Sequence, residues 1–93
     1  MSIVLDTPIM SKTIRIENVY KGGTNFSVTV RNVGSSSVGK TELSVYKNGA
    51  PVDCTFTGGI AYGSIGTCSS SINCTAGDTI KVTSPSNSDI GKC

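Results

Sequence analysis

A chain of ninety-three residues has room for one compact domain with a thin core, because a chain this short buries only about 60–65% of the surface its unfolded form exposes. Charged residues make up 15% of it, against a usual share of about 25%, and Ser, Thr and Gly are abundant, a composition that fits an extracellular β-protein. The net charge of +2 comes from 8 basic and 6 acidic residues scattered without a Lys/Arg run, and with three Tyr, two Phe and no Trp this argues against nucleic acid as a partner.

Met1 to Lys12, "MSIVLDTPIMSK", has neither the basic start and apolar run of a signal peptide nor the roughly 20 apolar residues of a membrane span. From Thr13 to Tyr20, Ile14 and Ile16 share one face and Thr13, Arg15 and Glu17 the other, the period of a half-buried strand. Phe26, Val28 and Val30 repeat that pattern, and Lys21-Gly22-Gly23 joins the two strands with residues that tolerate positive φ. Residues 34–41, "GSSSVGKT", read as an exposed connection. Leu43 and Val45 then point inward with Ser44 and Tyr46 outward, and Asn48-Gly49 follows where a type I′ hairpin turn needs two residues with φ > 0.

The next predicted strand holds Val52, Cys54 and Phe56 on one face. Pro51 has no N–H to give to a ladder, which places the start of this strand at an edge. Residues 57–67, "TGGIAYGSIGT", read as a wide Gly-rich loop anchored by Ile60, Tyr62 and Ile65. Cys68 to Cys74 resumes alternation, with Cys68, Ser70, Ile72 and Cys74 on one side. Ala76-Gly77-Asp78 turns the chain, Ile80 and Val82 form one more strand, and Pro85 to Lys92 reads as a terminal turn and tail. Five to seven short strands without a helical period predict an all-β fold, a small immunoglobulin-like antiparallel β-sandwich formed by residues 1–93 as one domain.

Four cysteines in so short a chain favour disulfides formed in an oxidising compartment. Zinc is a poor reading, since structural sites draw closely spaced pairs such as C-x₂-C and the intervening counts here are 13, 5 and 18. Cys68 and Cys74 on one extended strand would lie roughly 20 Å apart, whereas a disulfide requires Cα atoms within about 7 Å. Two pairings remain. Cys54–Cys68 with Cys74–Cys93 is preferred, because it staples the strands on either side of the Gly-rich loop and ties down the C-terminus; Cys54–Cys74 with Cys68–Cys93 is the alternative.

Catalysis has no residue constellation behind it. With no histidine, a Ser or Cys nucleophile would need a Lys or carboxylate base, and the Ser-rich stretches read more simply as solvated loops. "GGIAYGSIG" is not followed by the Lys-Ser/Thr of a phosphate loop. No enzyme, cofactor or metal site is therefore expected. Asn25-Phe26-Ser27 and Asn73-Cys74-Thr75 match the N-glycosylation acceptor pattern, so Asn25 and Asn73 are candidate sites.

Pro51 and the Gly-rich segment weaken pairing near one sheet edge, and an edge with unpaired backbone groups invites strand addition. Tyr46, Ile60, Tyr62 and Ile65 are accordingly expected to form a self-association or partner surface. The competing reading is that Ile60, Tyr62 and Ile65 close the end of the core.

The stretch "FSVTVRNVGSSSVGKTELSVYKNGAPV" resembles the extracellular β-sandwich domains of archaeal flagellins (archaellins) and of the related archaellum stator and filament-associated proteins. In these, an apolar-x-apolar-x-Arg/Lys-Asn-x-Gly strand leads through a loop to Glu-Leu-x-Val-Tyr-x-Asn/Asp-Gly. "AGDTIKVTSPSNSD" looks like the family's later strand. The two stretches cover somewhat under half the chain. The resemblance implies a structural, interaction domain of a motility filament apparatus on the cell surface or in the pseudoperiplasm, which assembles with itself or anchors to surface-layer proteins. Family members carry an N-terminal hydrophobic helix that holds them in the membrane or filament core, so the expectation here is a soluble truncation that begins just after it. A secreted adhesion or carbohydrate-binding module is the alternative function, and aromatic residues gathered on one exposed face would distinguish it.

Overall fold

The alternating stretches become eight antiparallel strands in the computed structural model, which describes residues 11–93. One sheet has the order β1 (Ile14–Lys21), β2 (Phe26–Asn32), β6 (Ile65–Ser70), β5 (Cys54–Phe56). The other has the order β4 (Ala50–Val52), β3 (Ser44–Lys47), β7 (Thr79–Thr83), β8 (Ser88–Lys92). Their facing surfaces supply the core: Ile14, Phe26, Val28, Val30, Phe56 and Cys68 from the first sheet, and Val45, Ile80 and Val82 from the second. Burying one such aliphatic or aromatic side chain is worth about 1.5–3 kcal/mol, so in a core this small each layer carries a large share of the stability. The predicted all-β sandwich is the fold observed.

Asn48 and Gly49 have φ of 51° and 86°, which lets a two-residue turn join β3 to β4 with the twist that hairpin strands require. Lys47 pairs with Ala50 across this turn, Tyr46 with Pro51 and Val45 with Val52. Backbone groups alternate between the partner and the free edge, so the Pro51 position faces the open edge of β4. There the missing N–H costs no ladder bond, and the edge is guarded rather than weakened.

Several elements differ from the sequence expectation for identifiable reasons. The single strand expected around Val52, Cys54 and Phe56 is divided at Asp53. Val52 pairs with β3 in one sheet, whereas Cys54 and Phe56 pair with β6 in the other. Alternation persists across the crossing because both sheets share one core. A bulge between Ile16 and Asn18 changes the register of β1, so Ile14 and Ile16 lie on one side of it and Val19 takes up the inward packing beyond it. Residues 34–41 are not wholly exposed, because Val38 is buried and bridges Ile60 in a short antiparallel pairing. A 3-10 turn, Lys40–Glu42, follows. The strand expected from Cys68 to Cys74 ends at Ser70, and Ile72 is turned outward.

The expected C-terminal tail is instead β8, paired with β7 from Thr83↔Ser88 to Thr79↔Lys92. It closes the side of the sandwich against β1. Gly91 makes that approach possible: a Cβ there would come within 3.1 Å of Val19 Cγ2 and 3.3 Å of Ile16 Cγ2.

Candidate interaction surfaces

The four cysteines form two disulfides, Cys54–Cys68 between β5 and β6 and Cys74–Cys93 between the 71–78 turn and the C-terminus. Cα separations are 5.3 Å and 6.4 Å. Cys68 and Cys74 are buried and Cys54 and Cys93 half-buried, so each bridge fastens an edge segment to the core. Among the described residues no pocket is present and no group of His, Cys, Asp or Glu side chains gathers in metal-binding geometry. What the domain offers to other molecules is its two outer faces and its loops.

The four residues expected to share one interface are separated. Ile60 is 1% exposed, and its backbone exchanges both bonds with Val38, N–H to O at 2.8 Å and 3.0 Å. It belongs to the core, because the Gly-rich segment folds back over the open end of the sandwich and Ile60 is the apolar side chain that fills it. Tyr62 and Ile65 are 68% and 52% exposed. Ile65 pairs with Arg31 on the outer face of the first sheet. Tyr62 lies on a loop clamped to β2 at three points: Gly63 N–H donates to Asn32 O, Asn32 N–H donates to Ser64 O, and the Arg31 guanidinium donates to Gly63 O at 2.9 Å. Tyr46 lies on the outer face of the second sheet. Tyr62 and Ile65 therefore share an end of the molecule with exposed Val33, and Tyr46 does not reach it.

Asn25 is exposed just before β2. Asn73 is half-buried; its Nδ2 donates to Gly23 O at 3.2 Å and its Oδ1 accepts from Cys74 N–H at 2.9 Å. The side-chain amide that a glycan would modify is thus engaged at Asn73.

Sequence reasoning missed a row of residues on the second sheet. Register places Pro51, Tyr46, Lys81 and Ile90 side by side across β4, β3, β7 and β8. The Lys81 ammonium lies 5.8 Å from the centroid of the Tyr46 ring, within the reach of a cation–π contact, and Ile90 is 59% exposed. The available signal was in "SDIGK": Ser88, Ile90 and Lys92 alternate with Asp89 and Gly91, a period of two with the apolar residue facing outward.

The carboxylates are largely consumed inside the protein. Glu42 receives the Lys12 ammonium on both oxygens at 2.7 Å, and that bond, with the Gly39 N–H, holds its carboxyl below the usual range. Glu17 is lowered chiefly by its hydrogen bond from Arg15 and also by Arg31. Asp78 is lowered by the Thr75 N–H and by the Asn48 side chain.

No protein-family model matches the chain, and no curated protein matches it in sequence. Solved structures do match it in fold. The archaellum periplasmic stator protein FlaG from Sulfolobus acidocaldarius superimposes with a TM-score of 0.71 at 18% identity, covering 87% of this chain and 98% of that one. The periplasmic stator complex of FlaF and FlaG from the same organism gives 0.70 at 17% identity, covering 100% and 98%. The fold is that of the archaellum stator domains. Nearly the whole length of each stator chain is matched, so the likeness extends over both sheets and not just a shared hairpin. It agrees with the resemblance seen in the stretches from Phe26 to Val52 and from Ala76 to Asp89.

Proposed function

We propose that the chain is a structural domain of an archaellum-type surface apparatus, and that it works by noncovalent docking to other proteins outside the cell membrane. The observation that carries this reading is the superposition on the two stator structures over 98% of their length. Two disulfides support an oxidising, extracytoplasmic location. An edge guarded by Pro51 and the neutral hydroxyl groups of Ser27, Thr29, Thr67 and Ser69 on the outer face of the first sheet suit a module that meets partners through exposed side chains rather than by strand addition. Residues 1–93 act as one such domain, held at the membrane in the full-length protein by a preceding hydrophobic helix.

In this reading the domain assembles with copies of itself or anchors to surface-layer proteins, and Tyr62 and Ile65 are the contact residues at the exposed end. The test is light scattering and negative-stain microscopy of the purified protein, alone and with surface-layer material. Oligomers or co-sedimentation are expected, and both should weaken in Tyr62→Lys/Ile65→Lys with no change in melting temperature. A protein that remains monomeric and binds none of this material would refute the proposal. Tyr20, Tyr46 and Tyr62 lie on separate surfaces, so nothing in the geometry favours the carbohydrate-binding alternative.

A further inference from the structure

The outward positions of the second sheet combine three properties that do not coincide elsewhere on its strands. The first is the unbroken row Pro51–Tyr46–Lys81–Ile90, which crosses all four strands. It places an aromatic ring, a proline ring, a lysine stem and an exposed isoleucine on one line. The second is its flanks: Ser44, Thr83 and Ser88 on one side are small neutral groups, and Thr79 with Lys92 continues the face on the other. The third is charge. None of these outward positions carries a carboxylate.

The missing negative charge has a structural cause. Asp89 is on β8, but its side chain turns to the β1 edge, where its Oδ2 accepts the Ile16 N–H at 2.8 Å. Asp78, just before β7, is held by Thr75 N–H and Asn48. Glu17 and Glu42 are paired with Arg15, Arg31 and Lys12. Asp53 lies at the crossing between β4 and β5, beyond the row. Among the described residues Lys81 and Lys92 have no carboxylate within ion-pair distance. Lysines left without a carboxylate partner beside apolar side chains, Lys81 between Tyr46 and Ile90 and Lys92 on the flank, fit a contact surface that joins apolar anchors to unneutralised charge.

We propose that this face docks an acidic protein surface. The inference rests on the docking function above and names the chemistry of one partner. Charge complementarity excludes a second copy in face-to-face contact, since a two-fold arrangement brings the same patch of each copy together and would set the Lys81/Lys92 face against itself. The apolar row calls for a partner that itself carries apolar side chains among its acids, which a polyanion lacks. The charges then steer encounter and set orientation, and Tyr46 and Ile90 supply the desolvated contact.

The experiment is amide chemical-shift mapping of the uniformly labelled protein during titration with a peptide of Glu-Glu-Leu repeats. Polyglutamate, a Lys-Lys-Leu repeat peptide and vesicles of anionic phospholipid serve as comparisons. Salt-sensitive shifts at Tyr46, Lys81, Ile90 and Lys92 are expected with the Glu-Glu-Leu peptide, smaller ones with polyglutamate and none with the basic peptide. Lys81→Glu/Ile90→Ser should weaken binding by about tenfold or more, the scale of a central contact residue, while keeping the wild-type melting temperature. Shifts confined to the Tyr62/Ile65 end, equal binding by the variant, stronger binding to vesicles, or no binding to any probe would each overturn the inference. The two readings fail separately: if the wild type associates with surface-layer material and the Lys81/Ile90 variant does so equally, the docking function stands and this face is not its site.

Discussion

Gly66 and Ile60 compete for one volume in the core: a Cβ on Gly66 would lie 2.7 Å from Ile60 Cγ1 and 2.8 Å from its Cδ1. Gly66 faces inward on β6, and the loop that follows β5 lays Ile60 across it. An isoleucine with 1% exposure cannot swing away to make room. The absent side chain at Gly66 is thus the reason that the Gly-rich segment can seal this end of the sandwich.

Gly66→Ala should destabilise the domain by about 1–3 kcal/mol, the usual cost of overpacking, measured by chemical denaturation. The same substitution in an Ile60→Ala background should cost much less, because residues that share a volume couple. Equal costs in the two backgrounds would show that Ile60 is not what Gly66 makes room for.

Asn87 closes the opposite side by acting as a strand partner. Its Oδ1 accepts the Ile14 N–H at 2.8 Å, and its Nδ2 donates to the Ile14 carbonyl at 3.0 Å. Together with the bond from Ile16 N–H to Asp89, this satisfies backbone groups on the open edge of β1. Asn87→Ala is expected to cost about 1–3 kcal/mol, since it strands a donor and an acceptor that are both partly buried. Hydrogen exchange should accelerate at Ile14 more than at Val28. Unchanged exchange at Ile14 would mean that water replaces the side chain without loss.

The pH dependence follows from Glu42, Glu17 and Asp78, all lowered from their ordinary values. A carboxyl depressed in the folded state stabilises the fold above its unfolded pKa and loses that contribution as pH falls through the folded one. Glu42 and Glu17 start from 4.5 and Asp78 from 3.8. The melting temperature should therefore vary little on their account from neutrality down to about pH 5 and should fall on further acidification. Glu42→Gln should flatten part of that fall. A variant with the wild-type acid slope would remove the Lys12–Glu42 pair from the account.

Reduction should expose how much of the stability is covalent. The Cys54–Cys68 bridge closes a separation of 14 residues and Cys74–Cys93 one of 19, and a loop of about 15 residues contributes roughly 3 kcal/mol in the chain-entropy model. Losing both removes an amount comparable to the whole stability of many small domains, about 5–15 kcal/mol. A reduced and alkylated sample should be largely unfolded at room temperature by circular dichroism. Retention of the native spectrum would show that the apolar core suffices alone.

What the sequence by itself determined is local. Period-two alternation marked β1, β2, β3 and β7, because a strand with one buried face writes its orientation into every second residue. Asn48-Gly49 announced its turn, since few other pairs tolerate two positive φ values in succession. The tertiary structure decided what depends on which surface a strand meets. Val52, Cys54 and Phe56 alternate as one strand, yet hydrogen bonding divides them between two sheets, and backbone pairing carries no side-chain signature. Ile60, Tyr62 and Ile65 look alike in a glycine-rich stretch, and only the space left by Gly66 made the first of them core while the others stayed in solvent. β8 was hidden because Gly91, not a large apolar residue, faces inward where β1 comes close, and because Ile90 points out. The row from Pro51 to Ile90 joins four strands that the sequence separates, so it exists only once register has aligned them.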